Sequence, residues 1–494
     1  MPALRRKTLA DLDPRVNIPR FDADDVAPAI VHIGVGGFHR AHQAVYLDDL
    51  LGNGDRSWGI TGVGLLPHDT AMHDALTAQD HLYTVVTKQA DGSLTPRVIG
   101  SIVDYLFAPD DPDRVVALLS SPSTRIVSLT ITEGGYHVEQ ATGRVVIDDA
   151  LRADLTGHTT ARTAVGLLVR SLAARRAAGT PPFTVVSCDN IAGNGDLARR
   201  TVSTAAQVID HELSEWIRTS VEFPNSMVDR ITPVTSDADR DRLVQEFGVV
   251  DRWPVVCEPY IQWVLEDRFS NGRPALENVG VQLVDDVGPY ESMKLRLLNA
   301  GHQAIGFLGY LAGHRYTHEA AQDPLFAEFL LGYLTEEATP TLGPLPGIDL
   351  DHYQRTLIAR FANPHVRDTL SRLCADTSNR IPTFLLPVIR DQLAAGGELR
   401  RSALVVAAWA RYAAGIDEQG EPITVVDHRS TELTAAARRF DDDPLAFLRV
   451  RGVFGDLVDS VRFTEAYADS LDSLWRLGAA ATTAELTARL SDLR

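Results

Sequence analysis

The stretch Ala29-Ile30-Val31-His32-Ile33, followed at once by Gly34-Val35-Gly36-Gly37, constrains this chain more than any other segment. A short apolar, partly β-branched run reads as a buried strand. The glycines make a tight turn, and Phe38, Ala41, Val45 and Leu50 then keep roughly helical spacing. Strand, glycine turn and helix together aim free backbone N–H groups and the positive end of a helix at a pyrophosphate. Gly34 permits the turn and Gly36 lets a ligand come close to the backbone. His39 replaces the third glycine of the G-x-G-x-x-G pattern. A plain strand–helix turn therefore stands as the alternative to dinucleotide binding. A second strand is read over Trp58–Leu66, and Asp69 is the nearest carboxylate beyond it. There it would accept from ribose hydroxyls and repel a 2′-phosphate, which favours NAD over NADP. Capping of a helix that starts at Thr70 is the other reading.

Further short apolar runs at Ile126–Thr132, Phe183–Ser187 and Val281–Val284 alternate with helical patterns. Runs of this length, apolar throughout, suit strands buried on both faces of a parallel sheet. After Pro289 the texture changes. Ala and Leu dominate, and apolar residues recur at three- and four-residue spacing, as in the segments from Lys294 to Ala312, Pro324 to Leu334 and Ser402 to Ala414. The expectation is an α/β chain: a Rossmann-type doubly wound domain over 1–287 and a mostly α-helical domain over 288–494, with Gly288-Pro289 as the breaker.

Composition narrows the function classes. With 494 residues, 45% hydrophobic and 23% charged, the chain can bury large cores, and disordered and fibrous classes are excluded. A formal net charge of −19 is the wrong sign for a nucleic-acid backbone binder. Three scattered cysteines, Cys188, Cys257 and Cys374, form neither a disulfide framework nor a C-x-x-C metal site, and fit a cytoplasmic protein. Arg5, Arg6 and Lys7 are followed by Asp11, Asp13 and Pro14, not by the apolar core of a signal peptide. No apolar run approaches the ~18 residues of a membrane span.

The segment Tyr290 to His302 carries the most chemistry. At about 100° per residue, Lys294, Asn299 and His302 share one side of a helix. Lysine, amide and imidazole together suit carbonyl/alcohol redox chemistry, because an alcohol must lose its hydroxyl proton as hydride leaves. A desolvated lysine can take that proton, and an amide can hold the developing alkoxide. The alternative is an amphipathic helix with a solvated Lys294 and a locally paired Asn299. Asn190, at the end of the Phe183–Ser187 run, is a second oxyanion donor or a turn former. Asp229 belongs to a polar site or pairs with Arg230. Glu291, one helical turn before Lys294, relays protons or complements the helix dipole. His39 and His42 are three apart, but no other ligand-like group accompanies them, so no metal is expected. Neither a G-x-S-x-G elbow nor a Walker lysine is present.

These motifs together resemble the polyol-specific long-chain dehydrogenases/reductases over nearly the whole chain. The landmarks are Gly34–Gln43, Ser128-Leu129-Thr130-Ile131-Thr132-Glu133-Gly134-Gly135-Tyr136, Ser187–Asn190, Met227–Pro233 and the lysine helix. The resemblance implies a zinc-independent enzyme with its active site between a Rossmann-type and a helical domain. It implies Lys294 as general base/acid, Asn190 and Asn299 as the oxyanion hole, and His302 as a ligand of substrate hydroxyls. Glu291 and Asp229 match positions tied to proton transfer and site organisation. Arg372 matches a substrate-contacting arginine, and Arg380 stands where a lysine is expected. Gly34, Gly36, Gly37, Phe38 and Asp69 match the cofactor positions, with His68 in place of a second carboxylate. Ala300-Gly301 lacks the serine of a family variant.

The implied reaction is NAD-dependent oxidation of D-mannitol at C2 to D-fructose and its reverse, by a protein compatible with a monomeric state. D-arabinitol oxidation and fructuronate or tagaturonate reduction are the alternatives within the family. In the last case Arg372 and Arg380 would clamp the substrate carboxylate. A non-catalytic NAD-binding protein is the alternative outside it, but such a chain would be expected to have lost the lysine helix.

Overall fold

A parallel sheet forms because five apolar segments can each be covered on both faces. In the computed structural model, which describes residues 3–139, 143–157 and 161–492, these are β1 (Pro28–Ile33), β2 (Gly59–Gly64), β3 (Ile102–Phe107), β4 (Ile126–Leu129) and β5 (Thr184–Ser187). Their spatial order is β3-β2-β1-β4-β5 and every pairing is parallel. This is the order of a Rossmann-type sheet, with its reversal at β1/β4, where ligands bind beyond the strand ends. The pleat sorts the side chains. Val31, Val63, Val127 and Val185 join one core, and Ile30, Ile60, Ile126 and Val186 join the other. The glycines of β2 make room for the ring of Tyr105 on β3. A Cβ on Gly62 would lie 2.8 Å from its Cδ2.

Two sequence expectations change here. The helix read through Phe38 to Leu50 is two pieces, α1 (Gly37–Ala41) and α2 (Gln43–Gly52), broken at His42, whose φ/ψ of −126°/−89° is not helical. The strand expected at Val281–Val284 exists as Gln282–Val284 but does not join the main sheet. It pairs with Gln262–Glu266, which in turn pairs antiparallel with Ser226–Asp229. Strand β3 was not among the expected runs, because Asp104 interrupts its apolar pattern.

The chain divides into two compact units, Met1–Gly288 and Pro289–Arg494. Past Gln282–Val284 the named elements are all helical. Helices α3 (Asn194–Ala206) and α4 (His211–Ser220) follow β5, and α5 (Gly288–Met293) leads into the segment that continues as α6 (Ala300–Leu311), which is apolar on nearly every face and accordingly buried. Helix α10 (Arg400–Ala413) is likewise buried from Arg401 to Ala413, with Trp409 and Tyr412 around Phe307 of α6. Its N-terminus is capped from a distance. Glu337 accepts from the Arg401 and Ser402 amides at 2.7 and 2.8 Å and from the Ser402 hydroxyl at 2.5 Å. Among the described residues, no helix is long and apolar enough to cross a membrane.

Candidate active site

The glycine turn owes its shape to contacts beneath it. Gly34 has φ +91°, and a Cβ there would lie 2.2 Å from the Thr130 carbonyl oxygen, so only glycine fits. The Thr130 hydroxyl donates to the Gly34 carbonyl at 2.6 Å. With its proton so committed, it accepts from His32 Nε2 at 2.9 Å, which leaves His32 Nδ1 to accept from the Ser128 hydroxyl at 2.8 Å. Complete burial pushes His32 down to about 3, so the ring stays neutral and this pattern holds at physiological pH. His39, at the third glycine position, stacks on His32 with centroids 3.4 Å apart. Burial, with His32 and Arg40 adding smaller effects, holds it well below the usual imidazole range. His42 Nε2 donates to the Gln262 carbonyl at 2.8 Å. Among the described residues, no group of three or more His, Cys, Asp or Glu side chains could hold a metal ion.

A dinucleotide fits this cradle. A Cβ on the exposed Gly36 would meet only the Gly34 oxygen, at 3.8 Å, so the space over the turn is open. No side chain caps α1, which leaves its first amides for an anion. Phe38 flanks the turn and stacks on His42 at 4.8 Å. Asp69 does not cap the helix at Thr70. Its Oδ2 accepts from the Leu65 and Leu66 amides, both at 2.8 Å, and so fixes the loop that leaves β2. Its Oδ1 lies 3.7 Å from the exposed His68 imidazole.

The ends of β4 and β5 are tied by a residue that sequence reasoning passed over. Asp189 accepts from the Ile131 and Thr132 amides at 3.1 and 2.8 Å and from the Tyr136 hydroxyl at 2.7 Å. Burial raises its carboxyl, against the lowering effect of these hydrogen bonds. The tie holds Thr132 at φ +59°, a conformation rare for a β-branched residue. Asn190 follows and is exposed. Behind it, Asn194 Nδ2 donates to the Asp189 and Ser226 carbonyls at 3.0 and 2.8 Å, linking β5 to the strand that ends in buried Asp229. Arg230 spends its guanidinium on the Ala41 and Glu258 carbonyls, at 2.6 and 3.1 Å. The signal for Asp189 was a carboxylate two residues past a buried apolar strand.

In the second unit, one continuous helical segment carries four candidates. Its first part is a short helix, Gly288–Met293, with Glu291; a π-helical turn, Lys294–Asn299, comes next; then α6 begins. The expected 100° step fails across the π turn. The Ala300 amide instead reaches back five residues to the Leu295 carbonyl. Stacking at five-residue intervals narrows the angle between Lys294 and Asn299 from the roughly 140° of a regular α-helix. Lys294 is 7% exposed, and His302, also buried, stacks on Phe361 with centroids 3.9 Å apart. Phe361 ends α7 (Leu350–Phe361).

Arg372, on α8 (Leu370–Leu373), forks onto Asp368, with Nε on Oδ1 at 2.6 Å and the second nitrogen on Oδ2. Arg380, on α9 (Thr377–Phe384), donates to the Arg372 and Leu373 carbonyls at 3.1 and 3.4 Å. Burial, and then Arg372, lower the Arg380 guanidinium from its usual range. The two arginines are neighbours; Arg372 gives one edge of its fork to Asp368, whereas Arg380 commits a single nitrogen to backbone carbonyls.

Two family models cover most of the chain. The one described as mannitol dehydrogenase Rossmann domain matches residues 28–278, and the one described as mannitol dehydrogenase C-terminal domain matches 286–475. A mannitol 2-dehydrogenase of Phaeosphaeria nodorum is 46% identical over 98% of this chain and 85% of its own length. The Pseudomonas fluorescens mannitol 2-dehydrogenase, solved as a ternary complex with NAD and D-mannitol, is 44% identical. It covers 98% of this chain and 99% of its own, with a TM-score of 0.86. A D-sorbitol dehydrogenase in substrate-free form is 36% identical, covers 97% of this chain and 100% of its own, and has a TM-score of 0.90.

Proposed function

Because the chain belongs to the mannitol dehydrogenase family, we propose that it oxidises D-mannitol at C2 to D-fructose with NAD and catalyses the reverse reduction. The observation that carries this reading is the near full-length likeness to the Pseudomonas ternary complex. Gly34, Gly36, Gly37, Phe38 and Asp69 would hold the dinucleotide. When bound, NAD supplies the hydride acceptor.

The chain's own residues then manage the proton and the oxygen. Lys294 takes the C2 hydroxyl proton during oxidation and returns it during reduction. The amides of Asn190 and Asn299 donate to the reacting oxygen as negative charge builds on it. His302, held flat against Phe361, binds neighbouring hydroxyls. Glu291 and Asp229 organise the site and carry protons onward, and Arg372 and Arg380 border the substrate. The narrowed angle between Lys294 and Asn299 across the π turn supports this division of roles. A cytoplasmic setting suits the three buried free thiols.

The uronate alternative loses support, since one edge of the Arg372 fork is held by Asp368. The test is NADH consumption with D-fructose, with D-xylulose, L-sorbose and D-fructuronate in parallel and NADPH as the second cofactor. The reading requires the highest kcat/KM with fructose and NADH. Preference for another substrate moves the assignment within the family, and no NADH turnover with any of them refutes it.

A further inference from the structure

Away from the glycine turn, α3 and α4 pack side by side, joined by the short connection 207–210. On α3, Asp196, Arg199, Arg200 and Ser203 recur at three- and four-residue spacing, and His211, Glu215 and Arg218 do so on α4. These stripes line a groove of about 370 Å³. That size lies within the range of small-molecule sites.

The electrostatics of the groove run against those of the chain. The chain carries 66 Asp and Glu against 47 Lys and Arg, yet the groove sets two arginines without a carboxylate partner on adjacent positions. Arg199 and Arg200 make no side-chain ion pair and donate no guanidinium hydrogen bond among the described residues. Arg199 only lies over the Phe223 ring, at 5.9 Å, with its buried Nε unpartnered. Ser203 is 6% exposed, and its hydroxyl has no partner either. Both carboxylates of the groove are already engaged. Glu215 pairs with Arg218 at 2.9 Å, and Asp196 accepts from Asn225 Nδ2 at 3.1 Å. What remains is a set of donors: two guanidinium groups on adjacent residues and a hydroxyl beneath them.

We propose that this groove binds the phosphate group of a small molecule, at a site separate from the redox chemistry. Planar guanidinium forks match phosphate oxygens in pairs, and the free charges favour a dianion over a monoanion. The volume exceeds what one phosphate fills, so a phosphorylated sugar-sized compound is the better occupant, and free phosphate is the simpler source of the same chemistry.

The test is calorimetric titration of the full chain, saturated with NADH so that the glycine turn cannot contribute, at ionic strength held constant with sodium chloride. Inorganic phosphate and glucose 6-phosphate are the two probes. Both should bind, the sugar phosphate more tightly if its body fills the groove; binding of phosphate alone identifies free phosphate as the occupant. The double variant Arg199→Gln/Arg200→Gln should weaken either probe by about tenfold or more, the usual cost of losing charge-assisted hydrogen bonds. Glu215→Gln should tighten binding, a gain that damage to the fold cannot imitate. Absence of heat from both probes at millimolar concentration overturns the proposal, as does equal affinity in wild type and double variant.

Discussion

Replacing Thr130 by valine keeps the side-chain shape and deletes one oxygen. That oxygen donates to the Gly34 carbonyl at 2.6 Å and accepts from His32 Nε2 at 2.9 Å. His32 is fully buried, so its orphaned N–H costs about 1–3 kcal/mol. The Gly34 carbonyl is only half-buried and regains water, so its loss is nearer the net worth of one hydrogen bond, about 1 kcal/mol. Together the variant should lose about 3 kcal/mol. For a unit of this size that lowers the melting temperature by roughly 6–12 °C. The turn, no longer pinned, must also be ordered when the cofactor arrives. That weakens NADH binding by something on the order of tenfold. Thr130→Ser retains the hydroxyl and should recover most of both losses. The assays are thermal melting without ligand and NADH titration by fluorescence. A Thr130→Val protein that melts within about 1 kcal/mol of wild type and binds NADH equally well refutes the argument that this network shapes the turn.

Three further predictions follow from the same geometry. Lys294→Ala should lower kcat by about 10²–10⁴-fold while NADH affinity stays nearly constant, and unchanged turnover would remove the lysine from its assigned role. Gly34→Ala puts a Cβ 2.2 Å from the Thr130 oxygen at φ +91°; loss of NADH binding should exceed that of Thr130→Val, measured by the same titration. Glu337 is fully buried, and burial pushes its carboxyl from 4.5 up to about 7. The folded protein therefore keeps a proton that the unfolded chain releases, so stability falls as pH rises from about 4.5 to 7, by about 3 kcal/mol. Glu337→Gln should flatten that slope in denaturant unfolding followed from pH 5 to 8; an unchanged slope refutes the assignment.

The parts of the fold that could be read from the sequence were those set by local pattern. The run Ala29–Ile33 with its glycines, and the leucine-rich periodicity after Pro289, announce buried strand, turn and helix because burial on one or two faces leaves a repeating trace. Features set by distant partners left none. The residue at the break, His42, bonds the Gln262 carbonyl across 220 positions of sequence. Glu337 caps a helix more than sixty residues later. Asp189 was visible as a polar residue at a strand end, but its bonds to Ile131 and Thr132 were not. At the lysine segment the residue types were legible and the pitch that carries them was not. The helical wheel assumes one pitch, and the segment 294–299 abandons it.

That change of pitch decides where the segment can absorb a change of length. A π turn is a helix carrying one residue more than its hydrogen-bond ladder needs. Deleting a single residue from 295–298 would let the ladder close in regular α form from Gly288 to Leu311, an outcome that costs the backbone little. Asn299 would then stand four residues after Lys294, about 40° round a regular α-helix, so the two would still share a face. A deletion inside the regular helix between Asn299 and His302 would instead swing His302 by about 100° relative to Asn299, so the irregular turn is the place where this segment best tolerates losing a residue.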